Sequence, residues 1–270
     1  MIHSDWHIHT DASYDAKLPL ETLIKASREQ GLRGFGIADH LNYNDNKFWS
    51  DIRKSAENFH RLKKTCPEMR LGVELTPVAK PHYDYIARTG SREGYVPPVQ
   101  SEPYGIELAG TKEELMALGI QYAVGASHWR VDVPDMNLKD SDEAQIREWH
   151  RQQMYLACDD RVTILGHPWA CNDTWIKDFS IVPASMHDEL AAALLENGKY
   201  VEDDGCGIPP ERMSHLFTGL LDSNTPADAS RSNMGIGLSV CSTIIKAHKG
   251  NMTAENIKDS GARFTFWLPK

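Results

Sequence analysis

Residues 5–10 read DWHIHT, residues 18–31 read LPLETLIKASREQG and residues 34–40 read GFGIADH. The first and third segments are short apolar runs of the kind that form strands. The second repeats its apolar residues every three or four positions before a glycine stop, which predicts a helix. A strand, a helix and a second strand in succession predict a βα unit with parallel strands.

The same alternation continues to about residue 200. Strand-like runs lie at 69–77, 122–129, 162–169 and 199–202, and helical patterns lie at 50–64, 111–119, 141–157 and 184–198. We therefore predict an α/β fold in which helices flank a parallel sheet, either open or closed into a barrel. Residues 82–110 are rich in Pro, Gly and Tyr and predict a long irregular loop over one end of the sheet.

Composition narrows the classes of partner. The chain of 270 residues is 41% hydrophobic and 25% charged, which is typical of a globular protein with a packed core. Its net charge of −9 argues against binding to nucleic acid or anionic membrane, because no basic block is present to displace counterions. A small partner, or one that is neutral to cationic, suits this net charge better than nucleic acid or anionic lipid.

Cysteine usage and apolar runs bear on the compartment. The five cysteines are odd in number, widely spaced and never in a C-x-x-C pair, which argues against a disulfide framework and a zinc ribbon. The first residues, MIHSDWHIHT, lack the pattern of a signal peptide, and no apolar run approaches the length of a membrane span. We expect a cytoplasmic protein.

Side chains that commonly bind metals recur at five successive strand ends. They are His7 and His9, His40, Glu74, His128 and His167, with Asp15 in the loop after the first strand. His7 and His9 alternate on one strand, so both side chains face the same side of the sheet. Imidazole and carboxylate together suit zinc, manganese or iron, and burying so many imidazoles without metals or partners would be costly. The pattern predicts a metal site.

Other polar residues leave alternatives open. The remaining histidines of this region follow no strand-end rule, and we interpret them as structural: His3, His60, His82, His150 and His187. Arg130 lies just past His128, where its guanidinium could bind a phosphate through two hydrogen bonds. An exposed salt bridge is an equally good interpretation of Arg130.

At these residues the chain resembles a known superfamily. The segments WHIHT, IADH, GVELTP, ASHW and GHPW, in this order and spacing, are similar to the motifs of the PHP (polymerase and histidinol phosphatase) superfamily over residues 3–202. HTDASYDAKLPLE at 9–21 most resembles the branch that contains histidinol phosphatases. The resemblance implies a distorted βα barrel, TIM-like in outline, that holds two or three divalent transition metals.

The resemblance also implies roles for single residues. The implied metal ligands are His7, His9, Asp15, His40, Glu74, His128 and His167, with Glu74 bridging two metals. We assign catalysis to Glu74, His128 and Arg130. The implied reaction is hydrolysis of a small phosphomonoester, similar to histidinol phosphate, by a metal-activated hydroxide.

The chain departs from the family at its last strand. PHP proteins normally carry a further strand with an Asp-x-His pair, and no such pair follows GHPW here. We therefore expect an incomplete barrel in which one metal position has fewer ligands.

Residues 201–270 resemble the C-terminal half of the ATPase domain of sensor histidine kinases. The resemblance lies in the segments VEDDGCGIPPERMSHLF, MGIGLSV and GARFTFWLP. It implies that Asp204 hydrogen-bonds the amino group of adenine. It also implies that four glycines shape the loops that bind the nucleotide: Gly205, Gly207, Gly235 and Gly237. Asn233 replaces the first glycine of the second box, and the earlier magnesium-binding helix is missing. We expect a phosphoesterase domain at 1–200 and, at 201–270, a partial α/β sandwich that does not bind ATP and magnesium.

Three hypotheses remain. A phosphoesterase predicts chelator-sensitive turnover. An ATP-binding, kinase-related protein predicts thermal stabilisation by ATP that Asp204→Ala abolishes. A metal-binding but catalytically impaired fusion predicts metal without turnover. Uncovered apolar edges near the junction favour self-association into a homo-oligomer.

Overall fold

The computed structural model describes residues 4–100, 102–131, 141–169, 181–202, 213, 217, 242, 245–256 and 262–267. The chain divides into two compact units, Ile2–Glu202 and Asp203–Lys270, with Met1 assigned to the second. Within the described ranges, every helix is too short or too polar to cross a membrane.

The first unit is built on one sheet of parallel strands. Its strands are β1 (Ser4–Ile8), β2 (Gly34–Ile37), β3 (His40–Leu41), β4 (Met69–Leu75), β7 (Tyr122–Gly125), β8 (Ile164–Gly166) and β9 (Tyr200–Glu202). The order across the sheet is β1, β2, β4, β7, β8 and β9, and β3 also pairs with β4. Every pairing in this sheet is parallel, so the carboxyl ends of all its strands lie at one edge.

Helices connect and cover these strands. They are α1 (Leu20–Glu29), α2 (Asn46–Leu62), α3 (Lys80–Thr89), α4 (Lys112–Ala117), α5 (Asp142–Cys158) and α6 (Ala184–Glu196). Their apolar stripes pack on the sheet: Ile52 of α2 and Trp149 of α5 are buried against Val73 and Leu75 of β4 in the larger core cluster. Asp45, Thr111 and Ser141 cap α2, α4 and α5 by accepting backbone N–H groups of the first turn.

The sheet curls until its first and last strands approach each other. Nδ1 of His7 on β1 lies 3.0 Å from a carboxylate oxygen of Glu202 on β9. These two strands are at opposite ends of the sheet order, and no backbone pairing joins them among the described residues. The predicted α/β fold, an incomplete and distorted βα barrel, is therefore confirmed.

The prediction of an irregular loop over residues 82–110 was wrong for part of that segment. α3 occupies Lys80–Thr89, and β6 (Ile106–Glu107) pairs antiparallel with β5 (Val78–Ala79). Pro81 lies in the first helical turn, where its missing N–H costs nothing, and Gly90 ends the helix with a φ of 73°. The helix begins with a proline and ends with a glycine, so these residues mark its boundaries rather than an absence of structure.

The second unit contributes an antiparallel hairpin. β10 (Asn251–Asn256) pairs with β11 (Ala262–Trp267) along the whole length of both strands. Residues 245–247 are helical. The expected nucleotide-loop residues Asp204, Gly205, Gly207, Gly235 and Gly237 lie outside the described residues.

One tyrosine fills the inside of the curled sheet. The Tyr122 ring lies where side chains at Gly36 and Gly72 would otherwise stand, and its hydroxyl donates to the Trp6 carbonyl at 2.7 Å. A Cβ at Gly72 would overlap the Tyr122 ring, so this close approach requires glycine there.

Gly72→Ala is therefore expected to destabilise the first unit by about 1–3 kcal/mol, because overpacking forces the ring or a strand to shift. Gly105→Ala is the matched control, since a Cβ there meets only Lys80 side-chain atoms at 3.4 Å or more. The control should change the free energy of unfolding by less than about 0.5 kcal/mol in chemical denaturation. Equal stabilities for the two variants would contradict this account of the core.

Candidate metal centre

A single buried carboxylate lies at the centre of the candidate site. Glu74 is in β4 and has no exposed surface. Its Oε2 lies 3.2 Å from Nε2 of His7, 3.3 Å from Nε2 of His9 and 2.9 Å from Nδ1 of His40. One carboxylate oxygen thus meets imidazoles from the first two strand ends.

The other oxygen of Glu74 meets the remaining imidazoles. Oε1 lies 3.1 Å from Nε2 of His128 and 3.4 Å from Nε2 of His167. The five rings form a closed circuit around the carboxylate, with centroids 4.4 to 5.6 Å apart between successive members His7, His9, His40, His128 and His167. Strand ends that are far apart in sequence therefore converge on one point.

These short contacts lack the angles of hydrogen bonds. Within the described part of the chain, Nε2 of His7, Nδ1 of His40 and both Glu74 oxygens are buried without a hydrogen-bond partner. Buried polar atoms are normally satisfied, so a convergent set of donor atoms without hydrogen bonds fits the ligand shell of a cation. The donor atoms fit two overlapping groups, His7 with Glu74 and His167, and His9 with His40 and Glu74, each with ligand atoms within 4.8 Å of one another.

The sheet register produces this convergence. His40 of β3 pairs directly with Glu74, and Glu74 pairs with Val124 of β7, four residues before His128. His167 follows β8 with a φ of 31°, a conformation that is uncommon for a residue with a side chain. Its backbone N–H donates to the carbonyl of Glu202 at 2.8 Å, which holds the strained residue in place.

The electrostatics of the cluster are dominated by Glu74. Burial would raise the pKa of Glu74, but the surrounding imidazoles hold it well below its usual range. Burial would lower the pKa of His7, but Glu202 and Glu74 together raise it from 6.5 to about 10. Burial also lowers the pKa of His40 and of His167, but their contacts with carboxylates outweigh burial, so both pKa values are raised. For His128, burial prevails and lowers the pKa.

Neighbouring polar groups orient the imidazoles. The Thr76 hydroxyl donates to Oδ1 of Asn42 at 2.8 Å and lies 2.9 Å from Nδ1 of His128. Because the Thr76 hydroxyl donates its proton to Asn42, its oxygen can accept a hydrogen bond from Nδ1–H of His128. The other ring nitrogen of His128, Nε2, then faces Glu74.

Asp15 and Asp39 support the loop after β1. Oδ2 of Asp15 lies 3.0 Å from Nε2 of His40, and its Oδ1 accepts from the Ser13 hydroxyl at 2.7 Å. Buried Asp39 accepts from both the backbone N–H and the hydroxyl of Thr10, at 2.6 and 2.8 Å. Asp15 therefore lies at the outer side of the His40 ring, as a predicted member of the site.

The structure brings together all seven residues that the sequence predicts as ligands. Of the histidines interpreted as structural, His60 lies 3.0 Å from the Leu118 carbonyl and His150 lies 3.2 Å from Glu189, whereas His3 lies outside the described residues. Glu202 and Thr76 contact the imidazole cluster but were not predicted from the sequence as site residues. Glu202 ends the last strand and could have been found by the same strand-end rule, whereas Thr76 has no such signal.

A cavity of about 200 Å³ is lined in part by Trp129, which directly follows His128 and whose ring centroid lies 6.0 Å from that of His128. The lining also includes Tyr43, His82, Tyr95 and Arg130, together with apolar side chains such as Val78 and Val131. The Trp129 and Tyr43 rings stack with centroids 5.3 Å apart, and His82 stacks on Tyr95 at 4.1 Å. The cavity is therefore largely aromatic and apolar, with one guanidinium and one imidazole in its lining.

Two family models match the chain. Residues 5–206 match the model described as PHP domain, and residues 189–270 match the model described as histidine kinase-, DNA gyrase B-, and HSP90-like ATPase. A solved structure described as histidinol phosphate phosphatase from Lactococcus lactis, complexed with zinc, L-histidinol and phosphate, is 13% identical. That likeness covers 74% of this chain and 72% of the other, with a TM-score of 0.46.

Sensor kinases are among the similar curated proteins, and they match the C-terminal part of this chain. The adaptive-response sensory kinase SasA of Microcystis aeruginosa is 41% identical over 69 residues, which is 26% of this chain and 17% of that protein. The sensor protein ChvG of Agrobacterium fabrum is 39% identical over 74 residues, which is 26% of this chain and 12% of that protein. The chain thus spans less than a fifth of the length of these two kinases.

The raised pKa of His7 makes metal binding depend on pH. Below about pH 10 the metal-free His7 holds a proton that a metal must displace, so affinity should strengthen about tenfold per pH unit from pH 6.5 to 8.5. Competition titrations with a chromophoric zinc chelator would measure this slope. A pH-independent affinity would contradict it.

The chelated protein should respond to pH in the opposite direction. The pKa of His7 in the folded protein is raised from 6.5 to about 10, so protonated His7 stabilises the fold. This stabilisation is complete below pH 6.5 and is lost as the pH rises towards 10. The melting temperature of the metal-free protein should therefore fall over this window.

Proposed function

Since the chain belongs to the PHP domain family, whose model matches residues 5–206, we propose that it is a metal-dependent phosphoesterase acting on a small phosphomonoester. The observation that carries the proposal is the sharing of Glu74 between two groups of potential ligands, one with His7 and His167 and one with His9 and His40. A carboxylate that two groups of imidazoles share in this way suits a pair of neighbouring divalent cations.

The side chains present fit zinc, manganese or iron, because they offer imidazole nitrogen and carboxylate oxygen. His7, His9, His40, His167 and Glu74 would hold the ions, with Asp15 and His128 as further ligands at the rim. When bound, such ions activate water for attack and stabilise negative charge on phosphate oxygens.

The protein's own residues prepare the site for this chemistry. Glu74 supplies a negative charge whose pKa is held low, so it stays ionised throughout the neutral range. Thr76 fixes the His128 ring, and Asp15 fixes the His40 ring. Rings that are already oriented lose little freedom when they bind a cation or a substrate.

The neighbouring cavity supports a substrate with a flat leaving group. Its aromatic walls suit stacking of a flat group, and the ring of Trp129 in its lining lies 6.0 Å from that of His128. A phosphate near His128 would leave the alcohol part of the substrate close to these rings. A phosphomonoester similar to histidinol phosphate has this shape, in agreement with the resemblance of residues 9–21 to histidinol phosphatases. Arg130 on the cavity wall would bind the phosphate through its guanidinium.

We propose that residues 1–200 form the phosphoesterase domain and that residues 201–270 do not bind nucleotide. The two family models overlap at 189–206, and β9 within that overlap pairs with β8 in the parallel sheet. A strand used by the barrel is not available to complete an ATPase sandwich. This argues against the kinase-related hypothesis, which rests on the match to residues 189–270.

The central test combines metal content with turnover. The purified chain should hold two or more transition metals per molecule and hydrolyse a chromogenic phosphate ester, and chelation should abolish turnover until manganese or zinc is restored. Glu74→Gln should reduce both metal content and activity to the level of the chelated protein, since the charge that both groups share is removed.

Two results would count against this proposal. Metal bound without turnover would favour a catalytically impaired fusion that lacks the family's Asp-x-His pair. A chain that binds no metal at all would remove the basis for any metal-dependent activity.

Arg130 can be tested separately from the metals. Arg130→Ala should raise KM about 10- to 100-fold, as expected for the loss of a charged hydrogen bond to phosphate, with metal content unchanged. Arg147→Ala is the control, because Arg147 pairs with Glu143 on the exposed face of α5 and should leave KM as it is. If KM and kcat of the Arg130 variant match the unmodified protein, Arg130 has a structural role only.

A further inference from the structure

The last strand of the sheet brings a second carboxylate to the cluster. Oε2 of Glu202 lies 3.0 Å from Nδ1 of His7, with hydrogen-bond geometry. The opposite nitrogen of the same ring, Nε2, lies 3.2 Å from Glu74. His7 is therefore held between two carboxylates, and its side chain is only 7% exposed, compared with 26% for Glu202.

Glu202 also anchors a second imidazole through its backbone. β9 pairs with β8 so that Gly166 is opposite Glu202, and the Glu202 carbonyl accepts the N–H of His167 at 2.8 Å. His7 and His167 stack with ring centroids 5.6 Å apart and belong to the same potential metal group. Glu202 thus contacts the ring of His7 through its side chain and the backbone of His167 through its carbonyl.

We propose that Glu202 is a positioning residue for the metal group formed by His7, Glu74 and His167. Its carboxylate accepts the Nδ1–H of His7, which fixes the ring orientation and leaves the Nε2 lone pair directed at the cation. A carboxylate hydrogen-bonded to the far nitrogen also makes the ligand nitrogen more basic. This inference rests on the proposed metal-dependent function, because it assigns a role within that site.

The geometry distinguishes this role from direct ligation. The Glu202 oxygen contacts the Nδ1 side of the ring, whereas Glu74 contacts the Nε2 side. A cation bound to Nε2 is therefore separated from Glu202 by the ring itself. The other group, which contains His9 and His40, has no described contact with Glu202. Removing the Glu202 carboxylate should therefore weaken one metal position and spare the other.

Zinc titration of the full chain tests this selectivity. Glu202→Ala should weaken one binding step about 10- to 100-fold and leave the other step unchanged, the range expected for loss of a partner behind a ligand histidine. Glu202→Gln keeps an acceptor but removes the charge, so it should weaken the same step by less. Glu196→Gln removes a charge from the exposed end of α6 and should titrate like the unmodified chain.

A second measurement distinguishes positioning from ligation. In the zinc-loaded protein, nitrogen-edited NMR should show a slowly exchanging Nδ1 proton on His7, and Glu202→Ala should lose it. Because only the side chain changes, the backbone bond from His167 and the pairing of β8 with β9 remain, and circular dichroism of the chelated variants checks that they fold.

The outcomes separate the two proposals. An unmodified chain that binds zinc, with Glu202→Ala and Glu202→Gln titrating identically to it, would overturn the role of Glu202 and leave the phosphoesterase proposal intact. Loss of a zinc step without a protonated His7 Nδ1 in the unmodified protein would identify Glu202 as a ligand instead. An unmodified chain without zinc binding would overturn the proposed function and this inference with it.

Discussion

The structure of the first unit depends on a buried negative charge at the centre of five imidazoles. Burying an isolated carboxylate such as Glu74 is costly, and only compensating positive charge makes it tolerable. That compensation comes from histidines on β1, β3 and the segments after β7 and β8, so the sheet must curl for the ligand set to assemble. In the metal-free protein a proton on His7, whose pKa is raised to about 10, supplies positive charge, and bound cations would replace it. The centre therefore links the fold to the proposed chemistry.

Much of the fold could be predicted because βα alternation is a local property of the sequence. An apolar pattern marks every helix except α3 and the strands β1, β2, β4, β7, β8 and β9, whereas β6 lies in the segment predicted to be an irregular loop. Parallel strands always place their carboxyl ends at one edge. That rule alone selected His7, His9, His40, Glu74, His128 and His167. α3 was missed because its proline and glycine mark helix boundaries and were interpreted as loop residues. The position of Glu202 beside His7 depends on the closure of the sheet, which no local pattern encodes. The space for Tyr122 likewise arises only when Gly36 and Gly72 come together from separate strands.

The polar residues of the site divide into groups that carry charge and groups that hold rings in place. Glu74 carries the charge, whereas Thr76, Asn42 and Asp15 restrict the His128 and His40 rings through hydrogen bonds. His167 adopts an uncommon backbone conformation that a single hydrogen bond to β9 secures. These supporting groups come from different strands and loops, so a change in sheet curvature would disturb several ligands together. This coupling explains how the described residues form two ligand groups although the chain lacks the Asp-x-His pair typical of its family.

β9 lies in the segment that both family models match, at the boundary between the two units. Its three residues join the sheet through backbone hydrogen bonds to β8, and two of its three side chains are exposed. An edge strand held in this way places few demands on its two exposed side chains, Tyr200 and Val201, whereas Glu202 has to face His7. Two family matches can therefore overlap at one strand without leaving a gap in the sheet. For protein engineers, the equivalent edge of other incomplete barrels offers a place to exchange C-terminal halves.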